Sequence, residues 1–189
     1  METAMMFCST KGHWTDNELL SLPNDGRKYE LLDGNLLMSP VIATHGSLCM
    51  KLGSLLLRHV QRRKLGEVYD SSTGFRLSRD LLLSPDIAFV SNERLTKILV
   101  APDKFLCGAP DLVVEVLSPS DRPKLIQQKL DRYFEHDARL AWLVDWKKQE
   151  VTVHCPDGLT KLTGPADTLT GGDVLPGFRC KLSKIFGPS

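Results

Sequence analysis

Two carboxylates of this sequence lie in apolar segments. Asp86 opens the run SPDIAFV, and Glu115 is the only charged residue between Leu112 and Leu117. Burying a carboxylate among apolar side chains is costly unless the group is paired with a cation or binds a metal. If the two segments form neighbouring strands, both carboxylates converge at one position of the sheet, where their mutual repulsion opposes ionisation unless a cation lies between them.

A divalent metal would resolve this repulsion. Mg²⁺ prefers oxygen ligands, typically one or two carboxylates together with waters and phosphate oxygens. Such an ion stabilises charge on a phosphodiester and lowers the pKa of an attacking water. Asp86 also has a structural interpretation, because a Pro-Asp pair often only begins a strand or turn. A glutamate inside an apolar strand is rarer and favours a functional role.

Length, charge and cysteine content restrict the class of protein. The 189 residues suit one domain, expected at 14–189 after a flexible tail at 1–13. The five cysteines are scattered without a CxxC pair, which is typical of reduced thiols in a cytoplasmic protein and does not indicate zinc. No apolar run is long enough for a membrane span. The net charge of +1 is no strong signature of nucleic-acid binding, although a local groove could be basic.

The hydrophobic pattern predicts alternating helices and strands. Thr15 is suited to cap a short helix, and Asp33-Gly34 lies between two apolar runs as in a hairpin. Leucines from Leu48 to Leu56, followed by Val60, recur at helical spacing until Gly66. Strands are expected within 67–90, at 111–117, in LAWLVDW and in EVTVHC, and a helix at 122–136.

Two segments predict little regular structure. Residues 92–108 indicate a loose connection with one helical turn, and GDVLPGF indicates an irregular tail before a final turn in KLSKIF. Together the elements predict an α/β domain: a mixed, mainly antiparallel sheet flanked by helices, with an N-terminal hairpin.

Several blocks, in order along the chain, carry a resemblance to a known family: YELLDGNLLMSP, His45, LGEVY, SPDIAFVSNERL, GAPDLVVEVLSPS, KLDRY, WLVD and DTLTGGDVLPGF. The chain resembles the Uma2 family, formerly DUF820, which is expanded in cyanobacteria. This family belongs to the PD-(D/E)XK clan of restriction-endonuclease-like proteins. The resemblance covers about residues 14–186 and implies a restriction-endonuclease-like core.

The resemblance also implies a site. Asp86 and Glu115 would be the metal ligands, with Mg²⁺ or Mn²⁺ as the cofactor and DNA as the partner. The clan usually has a lysine two residues after the second acid, but Leu117 occupies that position here. Family members commonly carry the lysine in the following helix, where Lys129 lies. Its implied role is to orient the nucleophilic water or to neutralise phosphate charge; the alternative is a solvated helix lysine.

Two further residues match the family's blocks. Glu30 would be a third acid of the site, or would instead pair with Arg27, Lys28 or another cation at the hairpin. His45 would approach the metal or the phosphate, or would be a helix-capping or core histidine.

We therefore expect a metal-dependent endonuclease that hydrolyses phosphodiester bonds in DNA. The alternative is a non-catalytic module that binds nucleic acid or protein on the same fold. Pro123 and Leu125 depart from the family's pattern and weaken the expectation of DNA-facing charge at the start of that helix. A homodimer is a further expectation, because nucleases that cut both strands often pair symmetrically.

Overall fold

The computed structural model describes residues 6–9, 13–23, 27–39, 43–98, 104–118 and 121–187. For residues 6–9 only the backbone is described. Five helices are described: α1 Asp16–Leu20, α2 Ala43–Arg63, α3 Asn92–Leu95, α4 Pro123–Glu135 and α5 Leu182–Phe186. The first eight strands are β1 Met6–Ser9, β2 Lys28–Leu32, β3 Asn35–Ser39, β4 Gly66–Asp70, β5 Phe75–Ser78, β6 Leu81–Leu83, β7 Ile87–Ser91 and β8 Leu106–Cys107. The others are β9 Leu112–Val116, β10 Leu140–Asp145, β11 Glu150–Cys155, β12 Gly158–Leu162, β13 Thr168–Gly171 and β14 Leu175–Lys181.

The strands form two six-stranded sheets and one hairpin. The central sheet has the order β12-β11-β10-β9-β7-β4 and is antiparallel except between β9 and β10. The second sheet has the order β1-β3-β2-β6-β5-β8, and β13 pairs with β14 alone. The predicted mixed, mainly antiparallel α/β architecture is confirmed, but its strands divide between sheets.

The division occurs inside the run LLLSPDIAFV, which the sequence pattern treats as continuous. Leu81–Leu83 pairs in the second sheet, whereas Ile87–Ser91 pairs in the central sheet. Pro85 separates them, because proline lacks the N–H that a continuing strand would donate. Asp86 therefore lies where the chain passes from one sheet to the other.

The predicted hairpin joins β2 and β3. Asp33 and Gly34 have φ values of 50° and 79°, so both central residues of the turn are left-handed, as a type I′ turn requires. The pairing of Glu30 with Leu37 fixes the register. Because side chains alternate along a strand, Lys28 and Glu30 lie on the same face of β2.

Helix α2 covers one face of the central sheet. Its buried residues from Leu48 to Val60 pack against apolar side chains that include Val114 and Trp142. The helix ends at Arg63, where Lys64 adopts a left-handed φ of 54°. Gly66 begins β4 instead, where a Cβ atom would lie 2.0 Å from the Val90 carbonyl oxygen. Among the described residues, no helix is long and apolar enough to cross a membrane.

Helix α4 packs on the opposite face of the same sheet. Its residues Leu130 and Tyr133 contact a cluster that contains Val113 of β9. Since side chains alternate along β9, Val114 and Val116 face α2, whereas Val113 and Glu115 face α4. The helix that carries Lys129 therefore lies over the strand that carries Glu115.

Both ends of the chain contain more structure than the sequence pattern predicts. The expected tail includes β1, which pairs with β3. This pairing satisfies backbone groups of β3 that would otherwise lie at an open edge of the sheet. Residues 1–5 and 10–12 of that tail, and 99–103 of the expected loose connection, lie outside the described residues. The prediction of an irregular GDVLPGF was wrong, because Leu175 and Phe178 belong to β14 and are buried in the core beneath α2.

Candidate active site

The two carboxylates converge, as their positions in the sequence predict. Strands β7 and β9 are antiparallel neighbours, with Ile87 opposite Val114. The Asp86 amide donates to the Val114 carbonyl at 3.0 Å, and the Val116 amide donates to Asp86 Oδ2 at 2.8 Å. Asp86 therefore lies across from Glu115. Both residues are buried, with 5% and 4% of their surface exposed.

Asp86 is surrounded by hydrogen-bond donors and positive charge. The Lys28 ammonium lies 3.1 Å from Oδ1, and His45 Nε2 lies 3.0 Å from Oδ2. Burial alone would raise the pKa of Asp86, but Lys28, His45 and the Val116 amide together hold it well below its usual range. Burial opposes the charge of His45, yet the hydrogen bond to Asp86 raises the pKa of His45 to about 10. This half of the site is a buried carboxylate held ionised by two cations.

Lys129 lies between two other carboxylates. Its Nζ atom is 2.9 Å from Glu115 Oε1 and 3.1 Å from Glu30 Oε1. Glu30 Oε1 also accepts a hydrogen bond from the Ser84 amide at 2.9 Å. Burial would lower the pKa of Lys129, but Glu115 and Glu30 raise it above its usual value. The ammonium is thus charged although only 1% of the residue is exposed.

Glu115 is the least compensated of the three acids. Burial raises its pKa to about 7, although Lys129 and Lys28 favour the ionised form. Its Oε1 atom lies 2.9 Å from Lys129 Nζ, and within the described part of the chain no backbone amide donates to it. A buried carboxylate oxygen in this state fits an additional cation. The donor chemistry of Asp86 and Glu115 therefore suits the hard divalent metal that the family resemblance implies.

These side chains line one cavity of about 100 Å³. That volume holds about three water molecules, or a cation with part of its hydration shell. All five residues singled out from the sequence line it: Glu30, His45, Asp86, Glu115 and Lys129. The alternative of a solvated Lys129 is wrong, because that side chain is buried. Glu30 pairs with this distant lysine, which lies outside its own hairpin.

Sequence reasoning missed several lining residues as parts of the site, including Lys28 and Cys49. Lys28 lies two positions before Glu30, and strand periodicity puts both on one face, which is the signal that could have found it. Cys49 lies one helical turn after His45, with its Sγ atom 3.6 Å from Nδ1 of that histidine. His45, Cys49 and Asp86 each offer a donor atom within 4.8 Å of the others.

Tyr133 lies one turn after Lys129 on α4. Its hydroxyl is buried without a hydrogen-bond partner among the described residues. Burial raises the pKa of this phenol well above its usual value, and the negative charges of Glu115 and Glu30 raise it further. Tyr133 therefore places a neutral, buried hydroxyl close to the acidic groups.

A family model named Uma2 and described as "Putative restriction endonuclease" matches residues 16–183. The chain belongs to the Uma2 family. It is also similar to a solved structure from Anabaena variabilis ATCC 29413, described as "a putative nuclease belonging to DUF820". The TM-score is 0.77 at 18% identity, over 92% of this chain and 97% of that chain, which shows a shared fold. Among curated proteins none matches the sequence.

Proposed function

We propose that this Uma2 protein is a metal-dependent endonuclease that hydrolyses phosphodiester bonds in DNA. The observation that carries the proposal is the meeting of two buried carboxylates, Asp86 and Glu115, from adjacent strands at the wall of one cavity. The family's description as a restriction endonuclease supports the same reaction class.

Asp86 and Glu115 are the residues that would hold Mg²⁺ or Mn²⁺. When bound, such an ion supplies Lewis-acid stabilisation of phosphate charge and a more acidic water. Lys28 now makes the closest charged contact with Asp86 Oδ1. Because an ammonium and a metal compete for that oxygen, we expect Lys28 to turn away from Asp86 when the site is loaded.

The two lysines of the site suit different tasks. Lys129 is enclosed between Glu30 and Glu115 and would have to leave both to reach a phosphate. We assign it the positioning of Glu115 and the neutralisation of this acidic pair. The Lys28 side chain is 13% exposed and lies nearer the solvent side of the site. Lys28 is therefore the better candidate for contact with a phosphate oxygen or the attacking water.

One observation favours the alternative of a non-catalytic module. Three cationic groups, Lys28, His45 and Lys129, pair directly with the acids Glu30, Asp86 and Glu115. A descendant that had lost catalysis could keep such a network for stability alone. Saturable metal binding separates the two candidates, because the network alone needs no ion.

Metal binding is expected to depend on pH through Glu115. Because the pKa of Glu115 is about 7, protons compete with the metal below that value. Mn²⁺ should bind about tenfold more weakly at about pH 6 than at about pH 8, as measured by isothermal titration calorimetry. Glu115→Gln should bind weakly at both values. Equal wild-type affinity at both pH values would show that Glu115 is not a ligand.

The activity itself is tested with supercoiled plasmid. Purified protein should nick the plasmid in Mg²⁺ or Mn²⁺ and should leave it intact in EDTA. Asp86→Asn, purified in parallel, should be inactive, which excludes a contaminating nuclease. Cleavage in EDTA, or equal cleavage by the variant, would contradict the proposal. An inactive wild type that also fails to bind Mn²⁺ would favour the non-catalytic module.

A further inference from the structure

Two segments of the chain contain no acidic residue. Residues 34–66 hold five lysines and arginines, and residues 174–189 hold three, without one Asp or Glu in either segment. The whole protein has 24 basic and 23 acidic residues, so the remaining residues carry 16 cations against 23 acids. The net charge of +1 therefore conceals a strong asymmetry.

The fold packs these two segments against each other. His59 of α2 lies edge-on to the ring of Phe178 in β14, with ring centroids 5.4 Å apart. His59 Nε2 lies 3.2 Å from the Pro176 carbonyl oxygen. Lys51 Nζ donates to the Gly187 carbonyl at 3.0 Å, which joins α2 to the end of α5. Segments far apart in sequence thus contribute charge of one sign to one side of the molecule.

A groove of about 180 Å³ lies where these elements meet. Its walls carry four exposed cations and no acidic side chain: Arg58, Arg62, Arg179 and Lys184. Within the described ranges none of the four takes part in an ion pair. We call these four residues, together with Arg63, the basic face.

The environment of His59 and Gly177 supports a positive potential here. Burial lowers the pKa of His59, and the charges of Arg63 and Arg62 lower it further. Arg63 packs directly on the backbone of β14: a Cβ atom on Gly177 would lie 3.1 Å from its Nη2 atom. Gly177 also has a left-handed φ of 76°. A glycine at this position thus leaves room for the guanidinium.

We propose that the basic face binds the phosphate backbone of DNA at a position separate from the catalytic cavity. Unpaired guanidinium groups match phosphate geometry with two parallel hydrogen bonds, which makes an arginine-rich groove suited to a nucleic-acid backbone. The choice of DNA rests on the proposed function. An anionic membrane surface is the competing partner, and the test below decides between the two.

The location of the basic face gives the proposal a distinct signature. Arg58 lies nine residues after the cavity residue Cys49 on α2, which is about 14 Å along the axis and about half a turn round it. Contacts made there cannot reach the phosphate that is cleaved. They should therefore contribute to DNA affinity and leave the chemical step unchanged.

The test compares two triple variants of the full chain with equal change in charge. Arg58→Gln/Arg62→Gln/Arg179→Gln removes three cations from the basic face. Lys97→Gln/Lys104→Gln/Lys161→Gln removes three exposed lysines from other parts of the chain. Binding of a short fluorescein-labelled duplex is measured by anisotropy in EDTA over a range of salt concentrations, and binding to phosphatidylserine vesicles by co-sedimentation.

We expect the first variant to lose about tenfold or more in DNA affinity. The slope of log affinity against log salt concentration should also be shallower, by an amount that corresponds to about two to three fewer counterions released on binding. The control variant should bind nearly as the wild type does, and cleavage by the first variant at saturating DNA should match the wild type. Equal losses in both variants, no loss in the first, or binding to vesicles but not to DNA would overturn the proposal. Binding is measured in EDTA, where no metal-dependent cleavage takes place. The binding result therefore decides this proposal even if the protein proves not to cleave DNA.

Discussion

Replacing Glu115 by glutamine is expected to reduce metal-dependent DNA cleavage by about a thousandfold or more, because charge stabilisation and water activation at the proposed metal site both depend on this carboxylate. The variant should remain folded. Burial already raises the pKa of Glu115 to about 7, so a neutral side chain of the same size is tolerated at that position. The measurement is the initial rate of plasmid nicking in Mg²⁺ and in Mn²⁺.

Glu67→Gln is the matched control for this prediction. Glu67 is an exposed glutamate in β4, two strands away from Glu115 in the same sheet. Its replacement makes the same chemical change and should leave the nicking rate within about twofold, as expected of surface substitutions remote from a site. Circular dichroism and thermal unfolding report whether either variant has lost structure. A folded Glu115→Gln variant with the wild-type rate would remove Glu115 from the mechanism.

Replacing Lys129 by methionine is expected to lower the free energy of unfolding by about 3–5 kcal/mol, because it leaves Glu30 and Glu115 buried without their shared cation. The raised pKa of Lys129 means that the stability from its charge is fully present below about pH 10 and is lost as pH rises through the folded-state value. The loss in the variant should therefore be present at pH 7 and should grow as the pH rises and Glu115 ionises. Urea denaturation measures it.

Two further variants make this prediction specific. Lys124→Met changes an exposed lysine of the same helix and should alter the free energy of unfolding by less than about 0.5 kcal/mol. Glu115→Gln/Lys129→Met removes one of the uncompensated charges and should recover part of the loss. The Lys129→Met deficit should also shrink at acidic pH, where Glu115 takes up a proton. A deficit below about 1 kcal/mol at pH 7 would contradict the buried ion-pair network.

The sequence alone was sufficient for the central pair of acids. A carboxylate inside an apolar strand is costly to bury unless it is paired with a cation or binds a metal. Asp86 and Glu115 were therefore predictable as partners from the apolar residues beside them. Lys129 was different. A lysine on a polar helix is ordinarily solvated, but Lys129 shares one side of α4 with Leu125, Ile126 and Tyr133 at helical spacing, and the family's KLDRY block indicated a role in the site. Its two carboxylate partners follow from the packing of α4 over β9, which local sequence does not specify.

Other features needed the tertiary structure. Lys28 joins the site because β2 pairs with β6, after which the chain passes through Asp86 into β7 of the central sheet. Strand periodicity puts Lys28 and Glu30 on one face, but no local pattern gives this arrangement of the two sheets. The strand β14 has a weak sequence pattern, because Pro176 and Gly177 are both exposed and buried residues alternate with exposed ones only from Phe178 to Lys181. The basic face was hidden by the net charge, although counting charge by segment would have indicated it.

The location of bound metal tests the central claim most directly. Crystals of the wild-type protein soaked in Mn²⁺ and measured at the manganese absorption edge should show an anomalous peak between the carboxylates of Asp86 and Glu115. The Lys28 ammonium should then have left Asp86. A peak elsewhere, or a fully ordered cavity with Lys28 still bonded to Asp86 and no peak, would contradict a metal-dependent active site at this position.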